Sequence, residues 1–243
     1  MKLCILQAGE INPAIADNLP GYQDMYSALF AENAPSVDIT YVQARHGELP
    51  ALEDYSAYLV TGSPRGVYDS DEWIGELEDF IRTAYASGKT LIGVCFGHQI
   101  IANALGGKAE KSEKGWGVGI RSTPVTTSSD LIPENCESLD LLYMHQDQVT
   151  ALPEGATTLM GDDFCPIAAF HIGNQVLCFQ GHPEFTKDVV GAIIDLRIDA
   201  IGSERGATGH ESLKRDHQGA IIGQIFERFL TKANNQSGQR STS

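Results

Sequence analysis

The sequence predicts an α/β fold: an open, mostly parallel sheet with helices on both faces and a small antiparallel extension. Three observations predict it. Short β-rich runs alternate with helical patterns through the first half, the order that builds parallel strands joined by crossover helices. From about residue 115 to 181 the pattern changes to short extended segments separated by turns, which implies antiparallel pairing. The C-terminal third is helical again.

Taken in order, KLCILQ (2–7) is the first strand, followed by a helical run YQDMYSALFAE (22–32), then strands DITYVQA (38–44) and SAYLVTG (56–62). The next helix, 72–87, repeats Trp73, Ile74, Leu77, Phe80, Ile81 and Tyr85 close to a 3.6 period, and Gly88 follows as its stop. One of its faces must therefore cover the sheet. TLIGVC (90–95) is the next strand, and GVGIRSTPV, ATTLMGD, PIAAFHIG and QVLCFQG form the extended segments of the second half. Helices are expected over 186–201 and 211–233, the second with Leu213, Ile221, Ile222, Ile225 and Phe229 as its apolar stripe. One domain spans 1–234, and the polar residues 235–243 are expected to be a disordered tail.

Composition narrows the function classes. With 17 basic and 32 acidic residues the formal net charge is −15, which disfavours nucleic acid or an anionic membrane as partner. No stretch approaches the ~20 apolar residues of a membrane helix, and the N-terminus lacks a signal-peptide core. Five cysteines, Cys4, Cys95, Cys136, Cys165 and Cys178, are odd in number and without a C-x-x-C pair. Neither a disulfide framework nor a metal site is indicated, and a reducing cytoplasm is the expected compartment.

The most informative stretch is TLIGVCFGHQIIANALGG (90–107), where a β-type run enters G-V-C-F-G and leaves as an apolar-periodic helix. This is a strand-to-helix elbow with a cysteine at its tip. Gly93 and Gly97 suit it because a side chain two positions either side of the tip would collide with the opposite arm. Cys95 is thereby lifted toward the carboxyl ends of the strands, the ligand crevice of an open α/β sheet, with a helix N-terminus aimed at its sulfur.

A thiol nucleophile needs a base. His182 stands at the end of QVLCFQGHPEF (175–185), and Glu184, two residues on in extended chain, points the same way to fix the imidazole tautomer. His98, on the first turn of the exit helix, is expected to point away from Cys95 in a structural role. His145 is expected either to line the crevice or to serve a polar loop; His46, His171, His210 and His217 are surface or helix residues. The amide of Phe96, directly after the nucleophile, is the first candidate donor to a developing oxyanion. Gly62, in the turn ending the strand YLVTG, is the second, and Arg65 and Tyr68 beyond it are candidate contacts for a substrate or partner.

At these residues the sequence resembles the class I, triad-type glutamine amidotransferases, in particular stand-alone members similar to the glutaminase domain of GMP synthase. The matching elements are V-T-G-S-P at 60–64, G-V-C-F-G-H-Q at 93–99, A-L-G-G at 104–107, M-H-Q-D at 144–147 and G-H-P-E at 181–184. The resemblance implies a flavodoxin-like fold, a γ-glutamyl thioester on Cys95, catalysis by Cys95, His182 and Glu184, and no cofactor. It implies Gly62 and Phe96 as oxyanion donors, and Gln99 with Met144, His145, Gln146 and Asp147 as the clamp on the α-amino and α-carboxyl groups of glutamine. Gln146 departs from the S-H-G-D form common in GMP synthase.

The residues after 185 contain no Gly-rich phosphate loop, so no ammonia-consuming domain is expected in the chain. Two readings follow: a glutaminase that hands ammonia to a separate synthetase, or a self-sufficient γ-glutamyl peptidase. A catalytically silent regulatory subunit is the alternative from another class. The helical extension 186–233 is expected to be packing over the sheet, a lid or the surface of a homodimer.

Overall fold

The computed structural model describes the backbone of residues 1–240 and the side chains of residues 1–235. In chain order its elements begin β1 (Lys2–Leu6), α1 (Tyr22–Asn33), β2 (Asp38–Val42), β3 (Ala57–Val60), α2 (Glu72–Ala86), β4 (Thr90–Val94) and α3 (Phe96–Ala104). Then come β5 (Lys108–Lys111), β6 (Gly117–Pro124), β7 (Ser138–His145), β8 (Asp147–Ala151), β9 (Thr157–Met160), β10 (Ala169–Ile172) and β11 (Val176–Phe179). Four helices close the described chain: α4 (Lys187–Leu196), α5 (Ile198–Ile201), α6 (Ser203–Ser212) and α7 (Gly219–Arg240).

Seven strands form the central sheet in the order β2-β1-β3-β4-β11-β10-β9. The first five run parallel; β10 is antiparallel to both β11 and β9. This is the expected flavodoxin-like arrangement. Strand β1 shows why its sequence is apolar throughout: Leu3 and Ile5 enter the core on one face while Cys4 and Leu6 enter the core on the other. Helices α1 and α7 cover the first face and α2 and α3 the second. The register sets Val60 beside Gly93, and Val94 beside Phe179. The chain segments leaving β3, β4 and β11 therefore emerge side by side at one sheet edge, which is what positions the site.

Of the four segments expected in the antiparallel extension, only GVGIRSTPV (β6) lies outside the central sheet; β9, β10 and β11 join that sheet, and β11 pairs parallel with β4. Two-stranded ribbons β6–β7 and β5–β8 stand beside the main sheet, and β5, β7 and β8 have no clear period-2 signal. In β7 the residues Leu141 to His145 are consecutively buried, so apolar and polar positions do not alternate.

The helix expected over 211–233 begins at Gly219 instead, and α6 precedes it. The break is tertiary in origin: Gln218 donates its amide to Asp140 O at 2.7 Å and accepts from Asp140 N at 2.8 Å, tying the connection to β7. The α6 sequence, SERGATGHES, carries two glycines that lower its helix propensity. They serve close packing, because a Cβ at Gly209 would lie 2.9 Å from both Ile194 Cδ1 and Val118 Cγ2. Helices α4 and α6 thus pack against the β6–β7 ribbon. Where the polar tail is expected from 235, the backbone of α7 continues to Arg240; residues 241–243 lie outside those described. Among the described residues no helix is long and apolar enough to cross a membrane.

Phe226 joins α7 to the sheet, with its ring 6.2 Å from Phe30 and 5.9 Å from Phe179. Phe226→Ala is expected to cost about 3–5 kcal/mol through lost burial and the cavity it leaves. A denaturant titration with unchanged m-value checks it; a shift below about 1 kcal/mol would mean that α7 does not anchor this face.

Candidate active site

Cys95 joins β4 to α3 with φ 54° and ψ −103°, a left-handed backbone that residues with a side chain rarely adopt. Neighbouring backbone holds it there. Cys95 N donates to Phe179 O at 2.9 Å, and Gly97 N donates to Thr61 O at 3.1 Å. Both flanking glycines are sterically required. A Cβ at Gly93 would lie 2.5 Å from Gly97 O, the collision with the opposite arm that the sequence suggests. A Cβ at Gly97 would lie 2.0 Å from Val60 O, so the second glycine answers to the neighbouring strand β3 rather than to its own elbow.

The segment after β11 brings His182 to the same edge. Its amide donates to Leu142 O at 2.8 Å, an isolated bridge to β7 that sets the direction of the side chain. His182 Nδ1 and Glu184 Oε1 are 2.8 Å apart, and both residues are almost fully buried, at 2% and 4% exposure. Phe185 lies flat on the imidazole, 3.8 Å between centroids and 3° between planes. Burial alone disfavours the imidazolium. The charges of Glu184 and Cys95, and side-chain hydrogen bonds to both, outweigh it and raise the His182 pKa above its ordinary value. Tyr22 and Tyr26 stand beside this group, and burial followed by the charge of Glu184 raises both phenols well above their usual range, so they stay neutral.

Gly62 is the third component. A Cβ there would lie 2.8 Å from His182 Cε1 and 3.7 Å from Cys95 Cβ, so only glycine allows the loop after β3 to close on the pair. Thr61 secures the loop, accepting from Ala8 N and donating to Gly62 O, each at 3.0 Å. Gly62 and Phe96 are buried residues, yet neither amide donates to a protein acceptor among the described residues. Two free donors flanking a cysteine can hold a negative oxygen.

Gln99 and the 144–147 segment, expected to clamp a substrate, lie together beside Cys95. Gln99 spends its amide nitrogen on Asp147 O at 2.8 Å and Gln180 Oε1 at 3.0 Å, so it holds the 144–147 segment in place. His145 also braces that segment, through Nδ1 to Asp147 O at 3.0 Å, and burial lowers its pKa to about 4. His98 is wholly buried 5.1 Å from the Phe170 ring, and burial lowers its pKa to about 3. The Asp147 carboxylate accepts from Tyr68 Oη at 3.0 Å. Met144, Gln146 and Asp147 line a polar cavity of about 230 Å³ with Arg65, Tyr68 and Lys111, reaching Cys95.

A second cavity of about 200 Å³ also reaches Cys95, between Ile11, Tyr22, Phe185, Ile193, Leu196 and Arg197. Apart from the general suggestion of a lid, the sequence gives no signal for these walls, because they come from three distant segments. Among the described residues no cluster of three or more His, Cys, Asp or Glu could hold a metal ion.

A model of the family described as glutamine amidotransferase class-I matches residues 14–194. γ-Glutamyl peptidase 3 of Arabidopsis thaliana is 32% identical over 184 residues, covering 72% of this chain and 73% of the peptidase. A GMP synthase (glutamine-hydrolyzing) of Dehalococcoides mccartyi is 26% identical over 171 residues, 70% of this chain and 29% of the synthase. A crystal structure of a Thermotoga maritima glutamine amidotransferase superposes with a TM-score of 0.75 at 19% identity, covering 94% of this chain and 97% of that one.

The His182–Glu184 contact makes a direct prediction. In Glu184→Gln the carboxylate that raises the imidazole pKa is gone while burial remains, so the His182 pKa must fall. Titration of the His182 ring by NMR in wild type and variant checks this, and an unmoved pKa would show that Glu184 does not govern the ring.

Proposed function

The chain belongs to the glutamine amidotransferase class-I family, and we propose that it hydrolyses the γ-glutamyl amide bond through a thioester on Cys95. The observation carrying this reading is the meeting, at one sheet edge, of a strained cysteine, a buried His–Glu pair and two unspent amide donors. In the reading, the Cys95 thiolate attacks the γ-carbonyl carbon, and the carbonyl oxygen becomes negative between the amides of Gly62 and Phe96. His182 gives its proton to the departing amine as the C–N bond breaks, leaving the γ-glutamyl thioester. Water then attacks, His182 takes its proton, and glutamate leaves as the thiolate is restored. Glu184 keeps the imidazole in the tautomer that serves both steps.

The polar cavity suits the glutamyl end. Asp147 offers a negative group to the α-amine and Lys111 a positive group to the α-carboxylate; Arg65 lines the same cavity with its guanidinium paired to Asp71 at 3.2 Å. Glutamine would yield ammonia, which an amidotransferase passes to a synthetase; a γ-glutamyl peptide would yield an amino acid or peptide. The peptidase relative favours the second outcome and the synthase relative the first. Both use the same thioester chemistry.

Two measurements test the proposal. A glutamine-like electrophile should alkylate Cys95 with one-to-one stoichiometry, and Cys95→Ala should lower amine release from glutamine or a γ-glutamyl dipeptide at least ~1000-fold. A folded, reduced sample that neither labels nor releases amine would point to a silent regulatory protein instead. Gly62→Ala is expected to lower kcat roughly 100-fold, since the added Cβ displaces the amide from the oxyanion position. Unchanged kcat in that variant would exclude Gly62 as a donor.

A further inference from the structure

We propose that the second cavity at Cys95 is a leaving-group subsite for an apolar amino acid, attached through its amine to the γ-carboxyl, with its free α-carboxylate held by Arg197. This rests on the thiol-hydrolase reading above. Ser63, Pro64, Cys95, Met144 and Arg197 line both cavities, so the two are arms of one site that meet at the sulfur. The polar arm carries the charges a glutamyl zwitterion needs. The other arm also reaches Cys95 and is walled by Ile11, Tyr22, Phe185, Ile193 and Leu196, with Asn12 and His182 among its polar lining.

Ammonia has no use for such walls. A water-sized molecule takes about 30 Å³ of liquid volume, whereas this arm offers about 200 Å³. A group that buries carbon there would gain from leaving water; an amino acid with an aliphatic or aromatic side chain has both the size and the surface.

Arg197 supplies the polar anchor. It caps α4, its amide donating to Ile193 O at 3.0 Å, and its guanidinium stands 5.4 Å from the Trp116 ring centroid. Among the described residues no carboxylate side chain pairs with it. Glu10 also lines this arm, but it is paired with Arg45 and half exposed, so its charge is already answered. Arg197 lines both arms, so its guanidinium belongs where they meet, and a cation there matches the carboxylate of an amino acid whose side chain lies in the apolar arm.

The test compares kcat/KM for γ-glutamyl-leucine, γ-glutamyl-leucinamide, γ-glutamyl-serine and glutamine with the full chain. Wild type should prefer the leucine acid over its amide roughly 10- to 100-fold, and over the serine peptide by a similar factor. In Arg197→Ala the acid-to-amide ratio should collapse toward one, and Arg197→Lys should restore part of it. Ile193→Asp should erase the preference for leucine over serine. A wild-type ratio near one, or a ratio that Arg197→Ala leaves unmoved, would overturn the assignment. Turnover of glutamine without turnover of any dipeptide would also overturn it while sparing the thiol-hydrolase reading. Silence toward all four substrates, together with an unlabelled Cys95, would remove both.

Discussion

The carbonyl of Phe179 accepts the amide of Cys95 at 2.9 Å, across the parallel pair of β4 and β11. That bond, with Gly97 N to Thr61 O on the other side, keeps a cysteine at φ 54°, where its backbone costs on the order of 1–3 kcal/mol. The strain is sustained because three strands define the position together. Move β3, β4 or β11 by one residue and Gly62, Cys95 and His182 no longer share an edge, since a one-residue slip turns every side chain to the opposite face. The apolar runs of β1, β3, β4 and β11, buried on both faces, are therefore also what assembles the site. Core packing and chemistry here have one cause.

Electrostatics follows from that geometry. Glu184 and His182 are too deeply buried to carry charge alone; each is tolerable because the other is 2.8 Å away. Phe185, stacked on the ring, excludes water from one face and so strengthens the same interaction. The tyrosines behind the pair contribute bulk and no charge. By contrast His98 and His145, equally buried but without a carboxylate partner, are held neutral, which explains why only one of the three can act as an acid.

Legibility in the sequence divided along physical lines. The elbow could be read because steric necessity writes itself into local sequence: Gly93, Cys95 and Gly97 are spaced by the turn they make. His182 and Glu184 could be read because two residues apart in extended chain means the same side. The parallel sheet was visible through runs apolar on both faces. What escaped was decided by distant partners. Strand β7 is consecutively buried because β6 and the α4–α6 layer enclose it, so its alternation is lost. Helix α6 hides behind glycines whose purpose is contact with Ile194 and Val118. Gln99 reads as a residue facing substrate, yet its nitrogen serves Asp147 and Gln180, a partnership that no local pattern records.

The extension after Glu184 gains a second meaning from this. Its helices pack on the β6–β7 ribbon through glycines close enough to leave no gap: a Cβ at Gly119 would lie 2.7 Å from Gly209 O. Close packing fixes α4 and α6 against the ribbon as one wall. Ile193, Leu196 and Arg197 project from that wall into the second arm at Cys95, whereas the elbow and the oxyanion loop belong to the sheet. On the proposed reading, reaction chemistry and leaving-group preference sit on separate structural layers. On that reading, substitutions along α4 change what departs from the γ-carboxyl without touching the bonds that hold Cys95, and the sheet stays invariant while the substrate changes.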